Sequence, residues 1–322
     1  MPQMFSKIRS TAQITTHSAG RPPVAVEISP EGVLAAGRPA ARARRGATDS
    51  TQSSIYAFVP LPPGALIPGT EEPNLRAPES VAAAIRSAID EISPRSRAVT
   101  VVLPDTVVRV FVLDFDSLPA KPAEALPVVR FRLRKMVPFE VEHAGVSYQL
   151  LSQTESECKV LAAVVPGPIL DEYESAVRAA GYEPGAVLSS TLAALESLDS
   201  LGAIMAANLS ARAITTSIAN GHELLLYRTL DLPEDPRQRL SEIQRSIAVA
   251  SAYFEDKLGS QPRTLYYAGV QDPAEFAASI GDPDLEPTLS VVEWTSRPDE
   301  GVMTALPQTS FAGVAGALAG AS

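Results

Sequence analysis

Two segments far apart in this chain carry the same pattern, and a repeat of this kind restricts the fold more than any other feature of the sequence. Val24-Ala-Val-Glu-Ile-Ser-Pro-Glu-Gly-Val33 and Ile204-Met-Ala-Ala-Asn-Leu-Ser-Ala-Arg-Ala-Ile-Thr-Thr-Ser-Ile218 each read as an apolar strand, a short polar turn and a second strand. More strand and then a helix follow in both places. Two copies of this β-β-β-α order imply two halves of one α/β architecture, each a mixed sheet flanked by helices.

In the first copy, the third strand is Ile55-Tyr-Ala-Phe-Val59, and Pro78 opens a helix whose Val81, Ile85, Ala88, Ile89 and Ile92 share one face. Residues 98–103 are apolar throughout, as a central parallel strand should be, and residues 107–115 form the next strand. The spacing predicts a helix over 121–136 with Leu126, Val129, Leu133 and Met136 on one face, Pro127 kinking it or serving as its true first turn. Strands over 139–151 and 158–165 follow, then helices over 168–180 and 188–198 separated by a Gly181–Gly185 break. In the second copy, Asn220-Gly221 is a hairpin signal, and Asp235-Pro236 supplies an N-cap and first-turn proline to a long helix. A strand over 264–268, a helix over 273–279 and an Ala/Gly/Val-rich helix over 311–319 complete the order. The expected division is a first domain over 1–203 (core about 24–117, inserted subdomain about 118–198), a second over 204–308, and a terminal helix over 309–322 packing back on the first domain.

Composition removes several function classes. A net charge of −10 argues against a nucleic-acid footprint, which is built from Lys and Arg on phosphates. Cys158 is the only cysteine, so neither an intramolecular disulfide nor a CxxC metal site can form, and His17, His143 and His222 lack metal-ligand spacing. Nothing forms an apolar span of ~18 residues and the N-terminus lacks the signal-peptide order, so a cytoplasmic location is expected, with the membrane reached only through a partner. Arg38, Arg42, Arg44 and Arg45 lie in a polar loop, read as solvated, with contact to anionic lipid as the alternative. Glu140 and Glu142 fall on one face of a predicted strand, which solvation explains more cheaply than acid/base chemistry.

Lys135-Met-Val-Pro-Phe-Glu-Val-Glu142 with Val146-Ser-Tyr-Gln-Leu150, Ala179-Ala-Gly-Tyr-Glu-Pro184, Ile247-Ala-Val-Ala-Ser-Ala-Tyr-Phe254 and Ala312-Gly-Val-Ala-Gly-Ala-Leu318 resemble landmarks of the PilM-like family of type IV pilus assembly proteins, related to the division protein FtsA and built on the actin-like ATPase fold. The resemblance covers nearly the whole chain from Val24 and implies an actin-like fold of two duplicated halves with a subdomain inserted in the first. Actin-like ATPases carry an Asp and glycine in each of two turns, because backbone N–H groups must approach phosphate and a carboxylate must hold the hydrated magnesium. Here the first turn has Glu27 with Ser29-Pro30, the second has Asn208 with Ser210-Ala211, and the adenosine-side glycine pair is reduced to Gly269. Proline has no N–H to offer, and Asn208 lacks the charge.

Glu27, Ser29, Asn208, Ser210 and Gly269 are therefore read as a vestigial nucleotide site in a protein that does not hydrolyse ATP. No cofactor is expected; weak ATP–magnesium binding is the alternative, and ordinary satisfied turn residues are the blandest reading. The resemblance further implies a non-catalytic adaptor that docks the N-terminal cytoplasmic peptide of a PilN-like inner-membrane protein, with self-association left open. The peptide site is placed on Val129, Arg130, Leu133 and Arg134 as a helix wall and Val137, Pro138 and Phe139 as a floor; periodicity cannot separate such a groove from an interior. The rivals are an active actin-like ATPase or kinase, and a GspL-like domain of type II secretion, in which a membrane span is expected to follow; none follows up to Ser322.

Overall fold

The computed structural model describes residues 21–37, 54–154, 156–198, 202–221, 223–281, 289–295 and 310–320. The arginine-rich loop, His17 and His222 lie outside them. The first sheet contains β1 (Val24–Ile28), β2 (Gly32–Gly37), β3 (Ile55–Pro60), β4 (Ala98–Leu103) and β8 (Glu183–Ser189), in the order β3-β2-β1-β4-β8. The second contains β9 (Ala203–Leu209), β10 (Ala213–Asn220), β11 (Glu223–Asp231), β12 (Thr264–Gly269) and β13 (Ser290–Glu293), in the order β11-β10-β9-β12-β13. In each sheet the first three strands of the chain form an antiparallel meander, and the two that follow add in parallel on the other side. The repeat seen in the sequence is thus a repeat of topology, with a parallel crossover helix at the same place in each half. Those helices are α1 (Pro78–Ile92) and α5 (Pro236–Leu258).

Strand alternation decides what each face meets. Val24, Val26 and Ile28 of β1 point into one core with Val81, Ile85 and Ile89 of α1 and Ile169, Leu170 and Tyr173 of α3 (Gly167–Ala179). Ala25 points the other way, toward α4 (Ser190–Leu195) and α7 (Ala312–Ala319), where Val314, Ala317 and Leu318 are buried. That second face is built from small residues, and a Cβ on Gly316 of α7 would overlap the Ala193 carbonyl. Close approach of α7 therefore requires glycine there. In the second half, Ile243, Ile247, Ala250 and Phe254 of α5 cover β9 and β10, and Phe276 of α6 (Pro273–Ile280) stacks on Tyr267 with ring centroids 4.0 Å apart. The terminal helix is built as its composition implied, and α5 carries the expected Asp235 cap, whose side chain accepts from Gln238 N at 2.9 Å.

Three expected elements differ. Residues 181–189 are not a break between helices: β8 runs through Pro184 and Gly185 and pairs with β4. Pro184 is tolerated because β8 lies at the edge of the sheet. A Cβ on Gly185 would stand 2.7 Å from the Pro22 ring. Second, β5 (Arg109–Phe115) leaves the first sheet and forms a separate antiparallel one with β6 (Gly145–Gln153) and β7 (Cys158–Val165), in the order β5-β7-β6. Third, residues 139–144 are turn rather than strand, because the Arg130 guanidinium holds the carbonyls of Val141 and, at 3.0 Å, Ala144. Glu140 and Glu142 consequently share no strand face, and Glu142 pairs with Arg134 at 2.6 Å. The helix over this small sheet, α2 (Pro122–Leu133), contains Pro127 in its interior.

Candidate functional site

The two duplicated turns face each other across the junction of the halves. Each is a local hydrogen-bonded unit of the same design. Ser29 N and Oγ donate to the Gly32 carbonyl at 3.0 and 3.1 Å, and Ser210 N and Oγ donate to the Ala213 carbonyl at 2.9 and 3.2 Å. The return bonds are also made, from Gly32 N to the Ser29 carbonyl and from Ala213 N to Ser210 Oγ. Arg239 of α5 then donates to the carbonyls of Ser210 and Ala211 at 2.9 and 2.6 Å. The N–H groups of Ser29, Gly32, Ser210, Arg212 and Ala213 are thus engaged within their own turns.

Between the turns lies a polar network that sequence reasoning missed. Asp105, in the single 3₁₀ turn after β4, accepts from Thr191 N at 3.0 Å, from Thr191 Oγ1, from Tyr227 Oη at 2.9 Å and from Asn208 Nδ2 at 3.4 Å. Asn208 Nδ2 also donates to Thr191 Oγ1 at 3.0 Å and Ser190 Oγ at 3.2 Å, and Ser190 Oγ donates to Glu27 Oε1 at 2.7 Å. Ser189 Oγ lies 3.1 Å from Tyr227 Oη. Glu27, Asp105, Ser189, Ser190 and Thr191 belong to the first half, Asn208 and Tyr227 to the second. Burial and the Asp105 charge push the Tyr227 phenol well above its ordinary value.

Glu27 is the exception to this satisfaction. Its Oε2 is sealed from solvent and has no partner among the described residues, and it lies where a Cβ on Gly313 would stand 2.6 Å away. Part of the Glu27 residue still reaches the surface, but its carboxyl end is enclosed. Desolvation, then the charges of Asp105 and Glu31, push the carboxyl up to about 7, against a lowering by the Ser190 hydrogen bond.

The void left between the halves is small. Glu27, Ser29, Pro30, Asp105, Asn208 and Ser210 line a cleft of about 50 Å³. Ligand pockets for small molecules are on the order of 300–1,000 Å³. As the side chains stand, the cleft is a few waters in size, and the residues present do not fit a triphosphate. Four of the five residues expected at the vestigial nucleotide site meet here: Glu27, Ser29, Asn208 and Ser210. Gly269 does not. It lies in a separate recess with Tyr267, and a Cβ there would press on the Tyr267 ring and stand 2.9 Å from the Leu209 carbonyl, so its smallness serves packing.

The seven residues placed at a peptide groove divide differently. Val129 and Leu133 are fully buried in the core between α2 and the small sheet, so neither forms a groove wall. The periodicity that suggested a wall was that of an interior. Arg130 is engaged with the loop carbonyls, Arg134 with Glu142, Val137 and Phe139 are half-buried against the same core, and Pro138 is exposed. A larger concavity lies elsewhere, between α1 and α3, with a volume of about 840 Å³ and walls that include Leu75, Ala82, Ala83, Ser175, Ala176 and Ala179. Cys158 is buried in the small core, and burial raises its thiol above the ordinary value.

This arrangement has counterparts among solved structures. A PilM–PilN type IV pilus biogenesis complex contains a chain that superposes with a TM-score of 0.70 at 17% identity, over 93% of this chain and 98% of that one. The fold is that of PilM. The cytoplasmic domain of EpsL, an inner-membrane component of the type II secretion system of Vibrio cholerae, follows at a TM-score of 0.50 and 13% identity, covering 92% of each chain. A Bacteroides thetaiotaomicron protein described as having an actin-like ATPase fold is similar over 87% of this chain, at a TM-score of 0.49 and 12% identity. No family model matches the sequence, and no curated protein does. The similarity to the chain of the PilM–PilN complex spans 93% of this one and so takes in both duplicated sheets and the small sheet inserted after β4.

Proposed function

We propose that this chain is a non-catalytic adaptor of a type IV pilus assembly, lying on the cytoplasmic side of the inner membrane and docking the N-terminal cytoplasmic peptide of a PilN-like membrane protein. The observation that carries the reading is the similarity to PilM over nearly the whole chain, combined with turn N–H groups at Ser29, Gly32, Ser210, Arg212 and Ala213 that are engaged within their own turns. A triphosphate would meet Glu31 and Asp105 at a site where Arg212 is the one cation among the described lining residues. That electrostatic balance opposes phosphate. Among the described residues no helix is long and apolar enough to cross a membrane, in keeping with attachment through a partner.

The groove between α1 and α3 is the docking surface this reading favours, because its size and its alanine- and proline-lined walls suit an extended apolar peptide. Calorimetric titration with a PilN-like N-terminal peptide tests it. Ala83→Glu and Ser175→Glu, both on exposed groove positions, are expected to weaken binding more than tenfold while Phe139→Ala leaves it unchanged. The reverse ranking returns the site to the loop after α2, and absence of binding in all variants removes the adaptor reading. A parallel thermal-shift titration with ATP and magnesium is expected to leave the melting temperature unmoved, since a ligand that binds the folded state must raise it. The similarity to the EpsL cytoplasmic domain supports a second reading, a type II secretion platform, which a peptide from that system in the same titration distinguishes.

A further inference from the structure

The outward face of α2 carries a combination found on no other helix described above. Val128, Phe131 and Arg132 of α2 are neighbours at i, i+3 and i+4, beside the buried face of Ala125, Val129 and Leu133, and Lys135 lies in the turn that follows. Phe131 is 64% exposed, Val128 37% and Met136, in the turn that follows, 42%. Three of the nine exposed large apolar side chains among the described residues therefore fall within one nine-residue stretch. Scattered singly they would need no explanation; clustered, they do.

The charge is equally local. Residues 127–139 contain four cations and no acid, in a chain of net charge −10. Arg130 and Arg134 are engaged with the adjoining loop, but Arg132 and Lys135, which flank Phe131, pair with no acid among the described residues. Structural duty thus accounts for two of the cations and leaves the two on the apolar stripe without one.

We propose that this face of α2 is a direct contact with an anionic lipid surface. A bilayer presents anionic headgroups above acyl chains. The stripe presents the matching order: cations on long flexible stems around an apolar wedge of Phe131, Val128 and Met136. The net charge of −10 adds selectivity, because an anionic membrane repels the chain as a whole and attracts it only through a local cluster of cations such as this one. One helical stripe gives weak, reversible binding by itself, and a membrane-anchored partner would supply the second attachment that stable recruitment needs. The inference does not depend on which peptide the chain docks.

The test is co-sedimentation of the full chain with vesicles of phosphatidylcholine, with and without phosphatidylglycerol. Binding is expected only to the anionic vesicles and is expected to fall with added salt. Arg132→Glu combined with Lys135→Glu should weaken it about tenfold or more, and Phe131→Ser several-fold. Both changes are on the surface, and an unchanged circular dichroism spectrum checks the fold. Phe131→Trp adds a direct readout: the one native tryptophan, Trp294, is buried, so a blue shift on vesicle addition reports insertion at position 131. Absence of binding to anionic vesicles, or binding that neither the double charge reversal nor Phe131→Ser weakens, overturns the proposal. Concentration-dependent self-association that Phe131→Ser abolishes, without vesicle binding, also overturns it and assigns the face to a second copy of the chain.

Discussion

Glu27 makes the folded protein's stability depend on pH in a direction opposite to that of an ion-paired carboxylate. Its ordinary value is 4.5 and the folded value is about 7. Below pH 4.5 the group is protonated in both states and contributes no difference. As pH rises between the two values, the unfolded chain releases the proton while the folded one retains it, so ionisation favours unfolding. The stability is therefore fullest below about pH 4.5 and is lost as pH rises through about 7. At 1.36 kcal/mol for each tenfold change in proton affinity, the span amounts to about 3 kcal/mol. Glu27→Gln abolishes this titration. The amide oxygen can still accept from Ser190, while the amide nitrogen would stand near Gly313 at a cost that does not vary with pH. The diagnostic is therefore the pH dependence of the difference between wild type and variant, not its absolute size. Urea unfolding followed by circular dichroism at pH 5 and pH 8 should show the variant gaining about 2.5 kcal/mol on the wild type, because part of the span is already lost at pH 5, a midpoint change on the order of 1 M. A difference that is the same at both pH values would refute the assignment of a proton to the enclosed carboxyl.

The network around Asp105 gives a second test: Asp105→Ala should destabilise by about 2–4 kcal/mol, because Thr191 and Tyr227 lose a charged acceptor. In a double-mutant cycle with Tyr227→Phe the coupling should exceed about 1 kcal/mol, and a value near zero would mean that the bond across the halves adds nothing. Gly316→Ala should destabilise by more than about 2 kcal/mol by driving α7 off α4, whereas Gly69→Ala, with nothing within 4 Å of its Cβ, should be neutral or stabilising by about 0.5 kcal/mol; thermal melts of the two variants compare them directly. Arg21→Ala removes a buried ion-pair partner of Glu196 and should lower stability by about 3–5 kcal/mol, measurable by the same melts.

The duplication was legible because it is written in local signals: period-two alternation, polar turns at fixed places, and helix starts marked by Pro78 and by Asp235-Pro236. What stayed hidden depended on contacts distant in sequence. Gly181–Gly185 carries breaker residues, and only the position of β8 at a sheet edge explains why they sit in a strand. Val129 and Leu133 could be groove or interior until the small sheet was seen to cover them. Asp105 joins residues 86 and 122 positions further along the chain, which no spacing rule anticipates. One local signal pointed to it. A carboxylate directly after the carboxyl end of a buried parallel strand stands where α/β folds place ligands, and Leu103-Pro104-Asp105 fits that description.

The two turns share a backbone design and differ in the side chains they present to the cleft. Backbone pairing is the same on both sides, with Ser29 and Ser210 each closing onto a carbonyl three residues on. The side chains that face inward differ, Glu27 on one side and Asn208 on the other. A carboxylate at both places would need a cation between them. An amide at the second place can instead donate, and Asn208 does so to Thr191 and Ser190, which holds the second half against the first. The enclosed Glu27 carboxyl is instead raised to about 7 by desolvation. Hinge closure in folds of this kind usually follows ligand binding. Here Asn208 and Tyr227 of the second half bond to Asp105, Ser190 and Thr191 of the first, so the contacts across the cleft are supplied by the chain itself. On the adaptor reading proposed above, such contacts would hold the outer surface constant for docking.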